Sequence, residues 1–279
     1  MITISNNPCL PQLIGNYFNY KYDQSGVWIG DVYVSIPYFS YGNSVFKEEK
    51  NKYQEWEYRG FEPISKYYSK DKISSILNLK KEIGIQFNQL ESNVKRKINK
   101  AGKNNIHCKI GNSELIKDFY FVYCRNMLRL GSPPMEIGFF NEIITKYSNG
   151  NARIFVAYKN DKPIGSAILI SYLGFYENCW FATLSEYNNL YTSYLLHWEM
   201  IKFSIENKAE IYSFGRSSQD SNVLKYKQQW KTEDITLYWS YSEDRKVNIR
   251  KLGFLSKIWK MLPLNIANTI GPYFAKKIY

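Results

Sequence analysis

Histidine and closely spaced cysteine are scarce in this sequence, and their scarcity argues against several kinds of site. The chain of 279 residues has 2 histidines and 4 cysteines. Because the cysteines are far apart in the sequence, neither a zinc site nor a disulfide framework is expected, and a reducing cytosol fits best; they are Cys9, Cys108, Cys124 and Cys179. His107 and Cys108 are neighbours, and in an extended segment they would point to opposite faces, which is poor geometry for a nucleophile and its base. We therefore expect no metal, no bound cofactor and no histidine-based catalysis, with His197 in a structural role.

Long apolar runs are also missing. The first residues, Met1 to Pro11, lack the basic start and apolar run of a signal peptide, and no segment approaches the length of a membrane span. With 44% hydrophobic residues, the chain can build the core of one large domain or two modest ones. We expect a cytoplasmic globular protein.

Acidic residues are outnumbered by basic ones. Lys plus Arg number 37 against 25 acids, a net charge of +12, which favours an anionic partner: a phosphorylated substrate, a nucleic acid or an acidic membrane surface. Charge alone does not choose among these partners. No helix-turn-helix or zinc pattern occurs, so sequence-specific DNA binding is not expected.

The hydrophobic pattern predicts strands and helices along the whole chain. A hairpin is expected over 27–37, with strands near 51–59 and 73–79, and a helix begins near Asn88 and ends at Gly102. Two helices follow over 113–130 and 136–147, then three antiparallel strands over 153–158, 164–172 and 175–182. A helix beginning at Asn188 or Asn189 and the strands 211–214 and 235–239 complete the pattern. This order is typical of a mixed α/β fold.

Two predicted helices are basic and amphipathic. The helix after Asn88 has an apolar side and a basic side, and the basic side is either solvated or contacts phosphates; its cations are Lys95, Arg96, Lys97, Lys100 and Lys103. The tail after Lys251 combines lysines with large apolar residues such as Phe254 and Trp259. It either docks onto its own domain or rests on an anionic membrane face.

One stretch, 210–239, combines a strand, a polar loop, a short basic segment and a second strand. Gly215 ends the first apolar run, and the loop 216–222 is rich in turn-forming residues with exposed donors. Arg216 can anchor a phosphate bidentately, and Ser217 can add a hydroxyl donor. The stretch is either a hairpin with a long solvated loop or a ligand site.

Several segments resemble the Fem-type (FemAB-like) aminoacyl and acyl transferases of the GNAT superfamily of acyl-CoA N-acyltransferases. The resemblance rests on the turn 214–217, on Tyr226-Lys227 and on Trp230, and it continues in 35–42, 95–101, 127–134 and 259–264. It implies an α+β (mixed α/β) GNAT-like fold with two GNAT-type halves, the first reduced, and a C-terminal helical tail. The implied regions are an N-terminal GNAT-like half over 1–105 that ends in a basic helix, an acyltransferase domain over 106–245, and a basic amphipathic tail over 246–279.

The resemblance also implies roles for individual residues. Lys227 would stabilise negative charge on the acyl carbonyl or on a transfer-RNA phosphate, and Tyr226 would shape the pocket. Further expected substrate contacts are Arg216, Ser217, Arg59, Arg129, Gly131 and Arg96, and Asp220 is a candidate base or substrate contact. Each role has a structural alternative: a solvated Lys227, an ion pair between Arg59 and Glu57, or an Arg129 that complements a helix dipole.

The turn 185–189 bears on the donor. GNAT enzymes that use acetyl-CoA hold its pyrophosphate on a glycine-rich turn at this place, whereas this turn has no glycine and one acid. An aminoacyl-tRNA donor is therefore favoured over acyl-CoA. The expected reaction is transfer of an aminoacyl or acyl group to an amine of a nucleotide- or lipid-linked cell-envelope precursor, for peptidoglycan or a surface polysaccharide. The alternative is a catalytically inert RNA- or membrane-binding module on the same fold.

Overall fold

The computed structural model describes residues 1–244 and 249–277. In this part of the chain the helices are α1 Cys9–Phe18, α2 Phe46–Glu49, α3 Ile83–Gln89, α4 Ser92–Lys103, α5 Ile116–Leu130, α6 Ile137–Lys146, α7 Thr192–Glu206, α8 Asn222–Gln228, α9 Ile249–Lys260 and α10 Leu264–Ala275. The strands are β1 Val27–Ile29, β2 Val32–Val34, β3 Trp56–Gly60, β4 Tyr67–Asn78, β5 Ile106–Gly111, β6 Asn151–Lys159, β7 Lys162–Tyr172, β8 Phe175–Thr183, β9 Ile211–Ser218 and β10 Glu233–Tyr241.

The strands form one continuous sheet in the order β1-β2-β3-β10-β4-β9-β8-β7-β6-β5. Neighbouring strands are antiparallel except for β2 with β3 and β8 with β9. Although β10 is the last strand in the sequence, it pairs with β3 on one side and β4 on the other. It therefore ties the N-terminal strands to the C-terminal ones.

Hydrophobic cores cover both faces of the sheet. Along β6, Ile154 and Val156 join the core that includes α1, α5 and α6, whereas Phe155 and Ala157 join the core that includes α4 and α7. This alternation follows from the two-residue period of a strand. Helix α7 is covered by the sheet and by α4, so it is buried on more sides than a surface helix.

The predicted mixed α/β class and the order of its elements are confirmed. The antiparallel strands β6, β7 and β8, the helices on either side of them and the hairpin of β1 and β2 lie where the sequence predicts them. The first 105 residues contribute four of the strands and mostly short helices, in keeping with a reduced first half. The division at 105–106 stays a prediction, and the one at 245–246 lies outside the described residues.

The C-terminal helices α9 and α10 pack against α5. Gly131 ends α5 with φ +77°, and a Cβ there would lie 2.2 Å from Ser256 Oγ of α9, so this position needs glycine. Of the helices in the described residues, none has both the length and the apolar character needed to cross a membrane.

Candidate active site between strands β8 and β9

Strands β8 and β9 run parallel but separate after three residue pairs. The last pair joins Glu177 of β8 to Ser213 of β9, yet β8 continues to Thr183 and β9 to Ser218. Beyond Glu177 the facing backbone groups of the two strands are no longer bonded to each other in this register. A gap between diverging strands offers backbone donors and acceptors to an extended polar ligand.

Gly215 explains where the strands separate. Between the pairs Ser213–Ile76 and Arg216–Ser74, β9 has two residues opposite one of β4, which is a β-bulge. Gly215 has φ +70°, the left-handed region that glycine adopts at such bulges. A Cβ at Gly215 would lie 3.2 Å from the carbonyl oxygen of Asn178 on β8. The bulge thus bends β9 while keeping its backbone close to β8.

Glu177 lies at the point of divergence with its carboxylate fully buried. Neither carboxylate oxygen has a hydrogen-bond partner of normal geometry among the described residues. Burial raises the pKa of Glu177 to about 7, and the neighbouring Ser40, Arg216 and Lys227 partly offset that rise. A buried acid without partners is costly to the fold, and such groups are concentrated at functional sites. Glu177 is therefore the candidate general base.

Lys227 reaches the same point from α8. This short helix begins after Ser221, whose side chain accepts from the amide of Leu224, and packs on β9 and β4. The Lys227 ammonium donates to the carbonyl oxygens of Gly215 at 2.9 Å and Arg216 at 3.1 Å. Burial lowers the pKa of Lys227 to about 7. When protonated, the ammonium has a third N–H to donate.

Two arginines meet beside this pair of ionisable groups. Arg216 and Arg59 each donate from Nη1 to the carbonyl oxygen of Phe39 at 3.1 Å, and both lie over the ring of Trp239, with Cζ at 5.1 and 4.4 Å from its centroid. Arg59 is buried in an ion pair with Glu57, 2.9 Å between Nη2 and Oε1. Burial and the neighbouring Arg59 lower the pKa of Arg216 to about 9, so it stays charged at neutral pH. Arg216, only partly buried, is the arginine that a ligand can reach.

The N-terminal segment 35–42, hereafter the strap, covers the divergence of β8 and β9. Phe39 packs edge-on against Trp180 of β8, with centroids 5.3 Å apart, and Ser40 lies beside Glu177. Tyr41 shares a hydrogen bond of 2.8 Å with Ser213 Oγ. Ile36, a β-branched residue, has φ 52°, a strained conformation that is uncommon outside functional segments. The strap closes this side of the site.

A cationic surface lies at the start of α7, on the other side of the gap. The turn before α7 is a 3-10 helix, Ser185–Leu190. Lys97 of α4 donates to the Tyr194 hydroxyl at 2.7 Å, and Lys100 Nζ lies 5.8 Å from the centroid of the Tyr191 ring. The N-terminus of a helix favours anions, and two lysines strengthen that preference.

Some predicted site residues come together and others lie apart. Arg216, Ser217, Lys227 and Arg59 gather around the divergence, and Ser217 Oγ is buried without a partner among the described residues. Tyr226 packs edge-on against Tyr194, with centroids 5.0 Å apart, in the wall behind Lys227. The positions of Arg216, Ser217, Lys227 and Tyr226 are compatible with the predicted roles, which stay predictions, whereas the buried ion pair of Arg59 with Glu57 matches the structural alternative for Arg59.

The remaining predicted residues lie away from this cluster, in local or structural contacts. Exposed Arg96 bonds to Asn93 within α4, and Arg129 bonds to Asn126 within α5. Gly131 is tied to the packing of α9, and Asp220 is an exposed turn residue with φ 59°. His197, expected in a structural role, is buried: it shares a hydrogen bond of 2.9 Å with Tyr212, and burial lowers its pKa well below the usual value.

The sequence prediction missed Glu177. The sequence feature that could have identified it is an acidic residue inside the predicted apolar strand 175–182, between Tyr176 and Asn178. Glu177 is a candidate base near neutral pH, and the Lys227 ammonium is a candidate donor to a developing negative charge.

A family model described as an acetyltransferase (GNAT) domain matches residues 89–231, just over half of the chain. The matched region runs from the end of α3 to the residues after α8 and includes Glu177, Arg216 and Lys227. No curated protein matches this sequence.

Solved structures share the fold at low sequence identity. The structure of L-PGS from Bacillus licheniformis has a TM-score of 0.58 and 10% identity, over 92% of this chain and 93% of that one. FemX has a TM-score of 0.55 and 14% identity, over 71% and 67% of the two chains. The C-terminal domain of a putative lysylphosphatidylglycerol synthetase from Agrobacterium fabrum has a TM-score of 0.55 and 8% identity, over 84% and 83%. The predicted GNAT-type fold is thereby confirmed.

Proposed function

Because the chain belongs to the family of GNAT acetyltransferase domains, we propose that it is an acyltransferase that moves an aminoacyl or acyl group onto an amine of a phosphorylated cell-envelope precursor. The observation that carries this proposal is the buried Glu177 beside Lys227 at the divergence of β8 and β9, whose carboxylate has no hydrogen bond of normal geometry among the described residues. An inert binding module on this fold would have no use for such a carboxylate, so the enzyme is favoured over that alternative.

The proposed reaction proceeds by direct attack. The acceptor amine attacks the carbonyl carbon of the donor's ester or thioester, and Glu177 takes a proton from that amine. Lys227 donates a hydrogen bond to the carbonyl oxygen as it becomes negative. The C–N bond forms, the C–O or C–S bond breaks, and the leaving group takes up a proton. Because the pKa of Glu177 is about 7, the carboxylate can accept its proton at neutral pH.

Phosphates on the substrates have two candidate partners. Arg216 can hold a phosphate of the acceptor, since it is charged at neutral pH and is more exposed as a residue than Arg59. Lys97, Lys100 and the start of α7 can hold a phosphate of the donor. The strap, by covering Glu177, keeps water from the donor ester until the acceptor enters.

We propose aminoacyl-tRNA as the donor in preference to acyl-CoA. The turn 185–189 has no glycine to admit a pyrophosphate closely, whereas the net charge of +12 suits a large polyanion. One of the similar structures is named a putative lysylphosphatidylglycerol synthetase, and that name supports an aminoacyl donor. The reaction is proposed for the cytoplasm, where charged tRNA is made, on a nucleotide- or lipid-linked precursor.

Purified protein can be incubated with nucleotide-linked and lipid-linked precursors and with either a pool of tRNA charged with labelled amino acids or labelled acyl-CoA. We expect label on a precursor from charged tRNA, and a loss of at least about tenfold when Lys97 and Lys100 are replaced by glutamate. The matched control replaces the exposed Lys80 and Lys81 by glutamate and should keep the activity. Transfer from acyl-CoA alone would reject the tRNA donor, and no transfer from either donor would reject the enzyme.

A further inference from the structure

The C-terminal helices expose an unusual amount of apolar surface. Of the eighteen large hydrophobic residues exposed in the described part of the chain, eight lie in α9, in α10 and in the turn between them. Met261 is 83% exposed and Phe254 is 64% exposed. We define the tail surface by these residues: Phe254, Leu255, Ile258, Met261, Ile266, Ile270, Tyr273 and Phe274. A cluster of this kind on a folded chain indicates an interaction site.

Helix α10 docks on its own domain mainly through small residues, together with Leu264 at its start. The residues that it buries are small, Ala267, Gly271 and Ala275, spaced four apart on one side of the helix. A Cβ on Gly271 would lie 2.4 Å from the ring of Pro134, so the helix approaches closely there. Ile266, Ile270, Tyr273 and Phe274 remain exposed on its other sides, whereas Leu264 at the start of the helix packs against the core. Their apolar area is therefore free for a partner.

The charged residues of the tail segment itself are all basic. Residues 249–277 include six lysines and arginines and no aspartate or glutamate. Of these, Lys257 and Lys260 lie on α9 beside Ile258, and the Lys277 ammonium lies 4.5 Å from the centroid of the exposed Tyr273 ring. Long cationic side chains around large apolar ones are suited to a boundary between anionic headgroups and acyl chains.

We infer that the tail surface docks this protein onto an anionic lipid bilayer, with the apolar side chains entering the acyl boundary and the lysines at the headgroups. Neither helix spans the membrane; both lie along its surface. The end of α10 is also tied to the strap, because Tyr38 and Tyr20 donate to the carbonyl oxygen of Lys276 at 2.8 and 3.2 Å. Docking therefore places the strap, and the site that it covers, next to the bilayer. This inference does not depend on the proposed reaction.

Sedimentation of the full chain with vesicles tests the inference. We expect binding to vesicles of phosphatidylcholine mixed with phosphatidylglycerol and little binding to phosphatidylcholine alone. Each lysine near an anionic surface strengthens binding about fivefold, so Lys257→Glu with Lys260→Glu should weaken binding by at least about tenfold. Phe254→Ser with Met261→Ser should weaken it at any salt concentration, whereas the lysine effect should shrink at high salt.

Matched controls separate this surface from general stickiness. Leu173→Ser removes a side chain that is 68% exposed in the turn between β7 and β8, and Lys80→Glu with Lys81→Glu reverses two exposed charges elsewhere. Both controls should bind vesicles as the wild type does. Equal loss in the controls, or equal binding to both kinds of vesicle, would overturn the inference. The inference would also be overturned if the wild type failed to bind vesicles and formed a dimer instead, and if Phe254→Ser with Met261→Ser converted that dimer to a monomer.

Discussion

Replacing Glu177 by glutamine should make the protein more stable and nearly inactive. Burial raises the pKa of this carboxyl from 4.5 to about 7, so between these values the unfolded chain loses a proton that the folded chain keeps. The free energy of unfolding of the wild type therefore carries no penalty from Glu177 below about pH 4.5, and it decreases as the pH rises through 7. The difference of 2.5 pKa units corresponds to a penalty of at most about 3 kcal/mol above pH 7.

Glutamine removes that penalty, because it cannot ionise. Lys227 and Arg216 lose an attractive neighbour at the same time, so we expect a net gain of about 1 to 3 kcal/mol at pH 8 and little change at pH 5. Loss of a general base should lower kcat by about 10² to 10⁴ and remove the rise of kcat/KM with pH near 7. Urea denaturation across this pH range, together with a transfer assay, measures both effects.

Glu206→Gln is the matched control, because Glu206 is an exposed glutamate at the end of α7. It should leave both the stability profile and the activity close to those of the wild type. A Glu177→Gln variant with wild-type kcat/KM would refute the role of Glu177 as base. A stability difference that does not vary with pH would refute the stated cause of its raised pKa.

Four further substitutions test other parts of the structure. Lys227→Met should lower kcat at least about tenfold with little change in KM. Because burial lowers the pKa of Lys227 from 10.5 to about 7, the wild type should gain stability as the pH rises above 7. In urea denaturation, the Lys227→Met variant should lack that gain. Gly131→Ala should destabilise the protein by about 1 to 3 kcal/mol, since φ is +77° and Ser256 occupies the space that the new Cβ would need. At Gly84 a new Cβ would have no atom within 4 Å, so Gly84→Ala should stabilise the protein by about 0.5 to 1 kcal/mol in the same measurement. Arg216→Lys should raise KM for a phosphorylated acceptor about tenfold and leave KM for the donor unchanged, as steady-state kinetics would show.

The regular elements could be predicted because their signals are local. Alternation along β6, with Ile154 and Val156 on one face and Phe155 and Ala157 on the other, identifies a strand buried on both sides. This pattern depends on neighbouring residues only. The predicted strand end at Gly215 was wrong: β9 continues through a β-bulge there to Ser218, and residues 216–218, predicted as loop, pair with β4.

The site could be predicted only in part, because its partners come from distant segments. Nothing in the sequence around Phe39 indicates that its carbonyl accepts from both Arg59 and Arg216. The insertion of β10 between β3 and β4 is also a non-local pairing. Glu177 could be noticed as an acid in an apolar strand, but its raised pKa depends on its burial in the folded chain, and distant residues such as Lys227 partly offset that rise. Tertiary contacts, not local pattern, bring these groups together.

Mass spectrometry of envelope precursors tests the central claim most directly. Precursors are compared in cells that lack the gene, that carry it, and that carry the Glu177→Gln variant. We expect the mass of one precursor to increase by one aminoacyl or acyl group in cells with the wild-type gene only, and that increment identifies the transferred group. Identical precursor masses in all three cell lines would contradict transfer, and an equal increment with the variant would contradict catalysis by Glu177.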